Sequence, residues 1–173
     1  MWCKKKHIAN FGFIVLILLT IRSAVGCYGG FALVESESMQ PTLQPHDIVF
    51  FKHYRPHSQR KLQSGDIVMF RALDHSGRLW VKRVQKIVPK QAALRLSVDS
   101  MRKFSSILRV EGKRVVCRNH SIYLDGKVQS VYRPKQTYLY VVGDNQSVSY
   151  DSRQFGYIPE DSVVATVEKI FSW

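Results

Sequence analysis

The 173 residues suit one domain plus an appendage and are enough to bury a proper core. A net charge of +13 raises nucleic acid, an anionic membrane surface or an acidic partner. No zinc-finger spacing and no RNA-binding signature is present, and Lys and Arg run along the whole chain, so nucleic acid is not expected. Cys3, Cys27 and Cys117 form neither a Cys-x-x-Cys pair nor a metal spacing; unpaired thiols, no metal and no cofactor are the expectation, and a Cys27–Cys117 disulfide has no support.

The first element in chain order is a membrane anchor. "MWCKKKHIAN" precedes the apolar "FGFIVLILLTI". As a helix, residues 8–21 would rise about 21 Å, short of the roughly 30 Å hydrocarbon core. Arg22 can snorkel to the headgroups, and the apolar residues 27–34 can lie at the interface or dip into the bilayer. Lys4, Lys5 and Lys6 hold the N-terminus in the cytoplasm and put everything after Arg22 outside. "SAVGCYGG" is a poor small-x-small cleavage site, so the anchor is read as uncleaved. The expected division is a basic N-terminus, anchor and interfacial segment over 1–34, then an extracytoplasmic domain over 35–173. Membrane lipid is an expected partner.

After residue 34 the period shortens to that of strands. Segments 47–51, 66–70, 79–88, 93–98, 113–118, 121–128, 137–143 and 162–171 are rich in Val, Ile, Tyr and Phe and are separated by turn signals. Asp125-Gly126 reads as a hairpin turn. Residues 98–108 could form one short helix. The predicted class is mainly β, an antiparallel sheet or barrel-like domain behind one transmembrane helix.

Three stretches carry candidate chemistry. "VESESMQPTLQP" (34–45) sets Ser36, Ser38 and Thr42 among apolar residues, and Pro41 restricts Gln40 to extended geometry. None of the six histidines lies in a Gly-x-Ser-x-Gly elbow, which leaves lysine as the alternative base. Ser58/Lys61 and Ser100/Lys103 match Ser-x-x-Lys, but neither opens a helix beneath an apolar wall, and both are set aside. Lys82 sits in "LWVKRV". Alternation puts Trp80, Lys82 and Val84 on one face, with Val81 and Arg83 on the other. A lysine so buried would fall from about 10.4 toward neutrality and become a base; the competing reading is a lysine that snorkels to water with its stem on Trp80. The third stretch, "VVGDNQSVSYDSRQFG" (141–156), alone reads as an Asx-type turn with an Asp–Arg pair.

Taken in order, these stretches resemble the type I signal peptidases, membrane-anchored Ser-Lys endopeptidases. The resemblance rests on Ser36-Glu37-Ser38-Met39-Gln40-Pro41-Thr42, on Arg22 at the anchor's outer end, on Gly65 to Val68 and on Lys82 to Val84. It closes on Gly143-Asp144-Asn145, Ser149, Asp151-Ser152-Arg153, Gly156 and Pro159. It implies Ser38 as nucleophile, Lys82 as base, Ser36 as oxyanion donor and Ser149 as a partner that directs Lys82. Met39, Pro41, Asp144, Asn145, Asp151 and Arg153 would be structural near the site, and exported precursors would be the substrates. Conjugation-associated pilin-processing and mitochondrial inner-membrane relatives share the dyad; a catalytically dead anchored binding domain is the non-enzyme alternative. The chain departs from the pattern at Gln146-Ser147-Val148, where the family has Arg-Asp-Asn. It also lacks the usual Gly-Leu-Pro-Gly-Asp after the base strand, and residues 88–112 are expected as an insertion.

Overall fold

The computed structural model describes residues 28–56, 60–71, 77–118 and 120–172. The apolar run 8–21, Arg22, Cys3, Cys27 and Ser58 lie outside them. Among the described residues no helix is long and apolar enough to cross a membrane. Cys117 is a free, exposed thiol.

Among the described residues, twelve strands and two α-helices follow one another: β1 (Gly29–Leu33), β2 (Ile48–His53), β3 (Ile67–Arg71), β4 (Leu79–Val88), β5 (Leu94–Arg95), α1 (Val98–Val110), β6 (Val115–Arg118), β7 (Ser121–Leu124), β8 (Lys127–Val128), β9 (Val131–Tyr132), β10 (Tyr138–Val142), α2 (Ser152–Phe155), β11 (Ile158–Pro159) and β12 (Val163–Phe171). Seven of the strands make one antiparallel sheet in the order β1-β2-β12-β3-β4-β10-β11. Three register shifts interrupt it, at Tyr140/Val141 against β4 and at Val163/Ala165 and Val167/Lys169 in β12. Each extra residue raises the local twist, so the sheet curls rather than lying flat.

The bulge in β4 accounts for a broken alternation. Tyr140 pairs with Lys86 and Val141 with Val84, which leaves Gln85 unpaired. Before it Trp80 and Val84 face the apolar cluster of Val68, Phe70, Leu139 and Val141; after it Ile87 takes that face, and Val88 turns to a second cluster. That second cluster joins β5–β9 and α1 to the main sheet through Val88, Tyr138 and Tyr157. Ser106 Oγ also accepts the Tyr157 N–H at 2.8 Å.

Helix α1 runs two residues past its expected end. Ser97 and Ser100 form a reciprocal capping box, with Ser100 N donating to Ser97 Oγ at 3.1 Å and Ser97 N to Ser100 Oγ at 2.8 Å. Ser100 does therefore stand in the first turn of a helix, contrary to the expectation, and there its hydroxyl serves the cap. Gly112, at φ +68°, closes the other end in a conformation that glycine adopts without strain. Strand β1 lies in the stretch 27–34 read as an interfacial segment, while the two-residue strands β9 and β11 and the four-residue helix α2 leave no periodic signal of their own.

Leu108 is fully buried where α1 meets this layer. Leu108→Ala is expected to lower stability by about 2–5 kcal/mol, whereas Val128→Ala, at a 61% exposed position, should stay within about 0.5 kcal/mol. Urea denaturation of both variants measures the difference.

Candidate active site

The turn that carries Ser38 is built by its neighbours. Ser36 is extended (φ −110°, ψ 146°), and its Oγ accepts the Ser38 N–H at 3.2 Å, opening a single 3-10 turn over Glu37–Met39. Gln40 ends the turn at φ −62°, ψ 145°, the extended geometry expected before Pro41. Met39 and Leu43 are buried with Val34 and Val49, and Leu43 N donates to Met39 O at 2.9 Å. These apolar anchors fix the turn against the sheet, so the hydroxyl beside Met39 has a defined direction.

Lys82 meets that hydroxyl from β4. Its Nζ donates to Ser38 Oγ at 2.6 Å, and the two residues are only 6% and 7% exposed. Burial holds the amine below the ordinary lysine value, and the Asp151 carboxylate opposes part of that fall. The lysine does not snorkel: its head, not only its stem, is inside.

The loop after β10 closes the site from a third side. Asn145 N donates to Ser38 O at 3.0 Å, and Ser149 N to Asn145 O at 3.1 Å. Asp151 is the buried centre of this loop. It accepts from Gly143 N (2.9 Å), Ser149 Oγ (2.7 Å), Arg153 N (3.1 Å) and Arg153 Nε and Nη2 (2.9 Å each). Burial pushes its carboxyl up, but the Arg153 guanidinium, the Gly143 amide and the Ser149 hydroxyl outweigh burial and bring it down to about 2. Asp151 also caps α2, where Gln154 completes a capping box. With its hydrogen committed to Asp151, the Ser149 hydroxyl has only lone pairs left for another neighbour.

Arg83, Thr42 and Gly143, which stand in the quoted motifs without an assigned role, also take part. Arg83, on the opposite face from Lys82, clamps Asp144 bidentately through Nε (2.8 Å) and Nη2 (2.6 Å) and reaches the Gly65 carbonyl at 2.9 Å. Thr42 Oγ1 donates to Asp144 Oδ2 at 2.6 Å. Hydrogen bonding to Arg83 holds the Asp144 carboxyl below the usual range against the opposing effect of burial. One clamp therefore ties the Ser38 segment to β4 and the last loop. Gly143 is the third participant. A Cβ there would lie 2.2 Å from Ser149 Oγ and 2.5 Å from Ser38 O, so the backbone passes where only glycine fits.

A cleft of about 530 Å³ opens onto Ser36, Ser38 and Lys82. Leu33, Met39, Trp80, Val148 and Tyr150 line it, with Glu35 and Arg78 adding charge. Trp80 meets Tyr150 edge-on at 5.9 Å. A second depression of about 590 Å³ beside Pro41, Asn145 and Gln146 includes neither Ser38 nor Lys82. The cleft is apolar and strand-walled, with a hydroxyl and an amine at hydrogen-bond distance.

A β-built hydrolase of the serine-peptidase class is what such an arrangement suits. The family model described as signal peptidase, peptidase S26, matches residues 4–91 and 131–173, and the chain belongs to that family. It is 29% identical over 148 residues to Signal peptidase I V of Bacillus subtilis (strain 168), a match spanning 78% of this chain and 80% of that protein. A crystal structure of a signal peptidase I from Enterococcus faecalis V583 aligns over 61% of this chain and 96% of that one, at 22% identity. Its TM-score of 0.30 is too low for any structural argument. The protein is a serine peptidase of the signal peptidase I type.

Gly143→Ala is expected to cut turnover by about a hundredfold, since the new methyl must displace Ser38 or Ser149; steady-state kinetics on a folded variant measures this. Asp151→Asn tests the loop by pH. A depressed carboxyl contributes stability that is present above its unfolded value near 3.9 and is lost as pH falls toward about 2. The variant should be less stable than wild type by about 2 kcal/mol at pH 7, with the gap closing toward pH 2 in denaturation curves.

Proposed function

We propose that this chain removes signal peptides from exported precursor proteins as a membrane-anchored endopeptidase, with Ser38 as nucleophile and Lys82 as general base. The observation that carries the reading is the 2.6 Å approach of Lys82 Nζ to Ser38 Oγ between two buried side chains. A neutral amine offers a lone pair, so the same contact serves with the Ser38 hydroxyl donating. Ser38 Oγ attacks the scissile carbonyl carbon as Lys82 takes its proton. The ammonium returns that proton to the leaving amine, which departs as the acyl-enzyme forms. Neutral Lys82 then draws a proton from water, which attacks the ester, and hands that proton to the departing Ser38 Oγ, restoring both groups. Family membership and the relative Signal peptidase I V support precursors as substrates.

The remaining roles follow from position. The Ser38 N–H and the Ser36 hydroxyl would bind the oxyanion, a donor of this kind contributing about 3 kcal/mol. At rest Ser36 Oγ caps that N–H, so Ser36 must rotate as substrate enters. Ser149 would accept from Lys82 and steer it. Asp151, Arg153, Asp144 and Asn145 would hold the loop, and Met39 and Pro41 the turn. Residues 8–21 would span the bilayer, N-terminus in the cytoplasm, with the domain from residue 35 outside and 88–112 an insertion. Phe31 and Leu33, both exposed on β1, would then sit near lipid. The host membrane would be a bacterial inner membrane.

Ser38→Ala and Lys82→Ala should each abolish processing of a precursor in detergent while leaving thermal unfolding intact; near wild-type turnover by either removes that residue from the dyad. Lys82→His should not rescue, since imidazole is shorter. Protonated Lys82 cannot act as base, so kcat/KM should rise with pH through a value below the ordinary lysine range. An acid limb that lies at the ordinary lysine value would contradict the assignment.

A further inference from the structure

The family match stops at residue 91 and resumes at 131. The intervening stretch builds β5, α1 and the three-stranded sheet β6-β7-β8. Residues 90–135 contain eleven Lys and Arg against three Asp and Glu, a bias stronger than in the rest of the chain. Among the described residues the one ion pair here is Lys113 with Asp125.

Strand β6 pairs with β7 on one side and with nothing on the other among the described residues. Its phase is fixed by Asp125 N, which donates to Arg114 O at 2.9 Å. Alternation then bonds Val116 and Arg118 inward to β7 and turns the N–H and C=O of Val115 and Cys117 outward. One face of the strand reads Arg114, Val116, Arg118, all exposed. Val116 continues across the sheet into an apolar row with Tyr123 and Val128.

We propose that the outer edge of β6 receives an acidic, extended segment from the mature part of the precursor; the occupant rests on the reading that the chain processes precursors. Outward N–H and C=O groups recognise a polypeptide backbone, which lipid headgroups lack. Alternating Arg, Val and Arg ask for acid, apolar and acid at every second position. A second copy of this basic chain is disfavoured by like charge. A signal peptide has a basic start and an apolar middle, so the acidic segment must lie beyond the cut. The edge would hold the precursor while the cleft acts on it.

The test uses the full chain in non-ionic detergent and a fluorescent peptide containing Glu-x-Val-x-Glu, read by anisotropy. The Glu peptide should bind about tenfold more tightly than its Gln counterpart. Cys117→Pro removes an outward N–H without breaking the pairing with β7, and Arg118→Glu reverses a charge. Each should weaken binding about tenfold and leave kcat for a short substrate unchanged, and a Lys-substituted peptide should restore binding to Arg118→Glu. A precursor with the acidic segment should have a KM about tenfold below that of its Gln version, at equal kcat. Equal binding of Glu and Gln peptides overturns the site. Loss of binding to phosphatidylglycerol vesicles in Arg118→Glu, with peptide binding untouched, makes the surface a membrane face instead. Peptide binding without any change in precursor KM refutes the precursor as occupant. If wild type cleaves no precursor, the proposed function and this occupant both fall, while the peptide measurement still reports on the edge itself.

Discussion

An amine forced to live without water is the constraint around which this molecule is arranged. Lys82 stands in a strand wall, 6% exposed, against the Ser38 hydroxyl. A charged ammonium there would lack hydration, so burial favours the neutral form. Asp151 pulls the other way, and its carboxylate is largely spent on Arg153, Ser149 and the Gly143 amide. The final loop can therefore keep a buried anion near the lysine without fully restoring its proton.

Geometry is held by contacts of a different kind. The Arg83–Asp144–Thr42 clamp crosses three segments. The bare backbone at Gly143 lets the last loop come close enough for Asn145 to bond the Ser38 carbonyl. These features are directional and polar, whereas Met39 and Leu43 fasten the same turn through apolar burial alone. Polar and apolar attachments to the same segment leave Ser38 little freedom.

Much of this was legible beforehand. Strands β2, β3, β4, β10 and β12 announce themselves by β-branched and aromatic content. The pairing of Ser38 with Lys82 came from motif order, since alternation alone left Lys82 undecided between base and snorkelling side chain. What escaped notice has a physical reason. The β4 bulge at Gln85 arises from pairing with β10, which local pattern does not encode. Arg83 faces away from Lys82 on its strand, yet it serves the same site because its guanidinium reaches Thr42 Oγ1 at 3.1 Å and the Asp144 carboxylate, on the two segments that meet at Ser38. The basic bias of residues 90–135 was diluted in a whole-chain charge.

The bond from Ser38 N–H to Ser36 Oγ has a further meaning. The backbone N–H of Ser38 is already engaged in the empty cleft, so under the proposed mechanism a stray ester or amide wandering in would not find that donor waiting for its carbonyl. Only a chain that fits the walls well enough to turn one serine aside would expose that electrophilic corner. Under that mechanism, idle hydrolysis of bystanders would be discouraged by a single side-chain torsion.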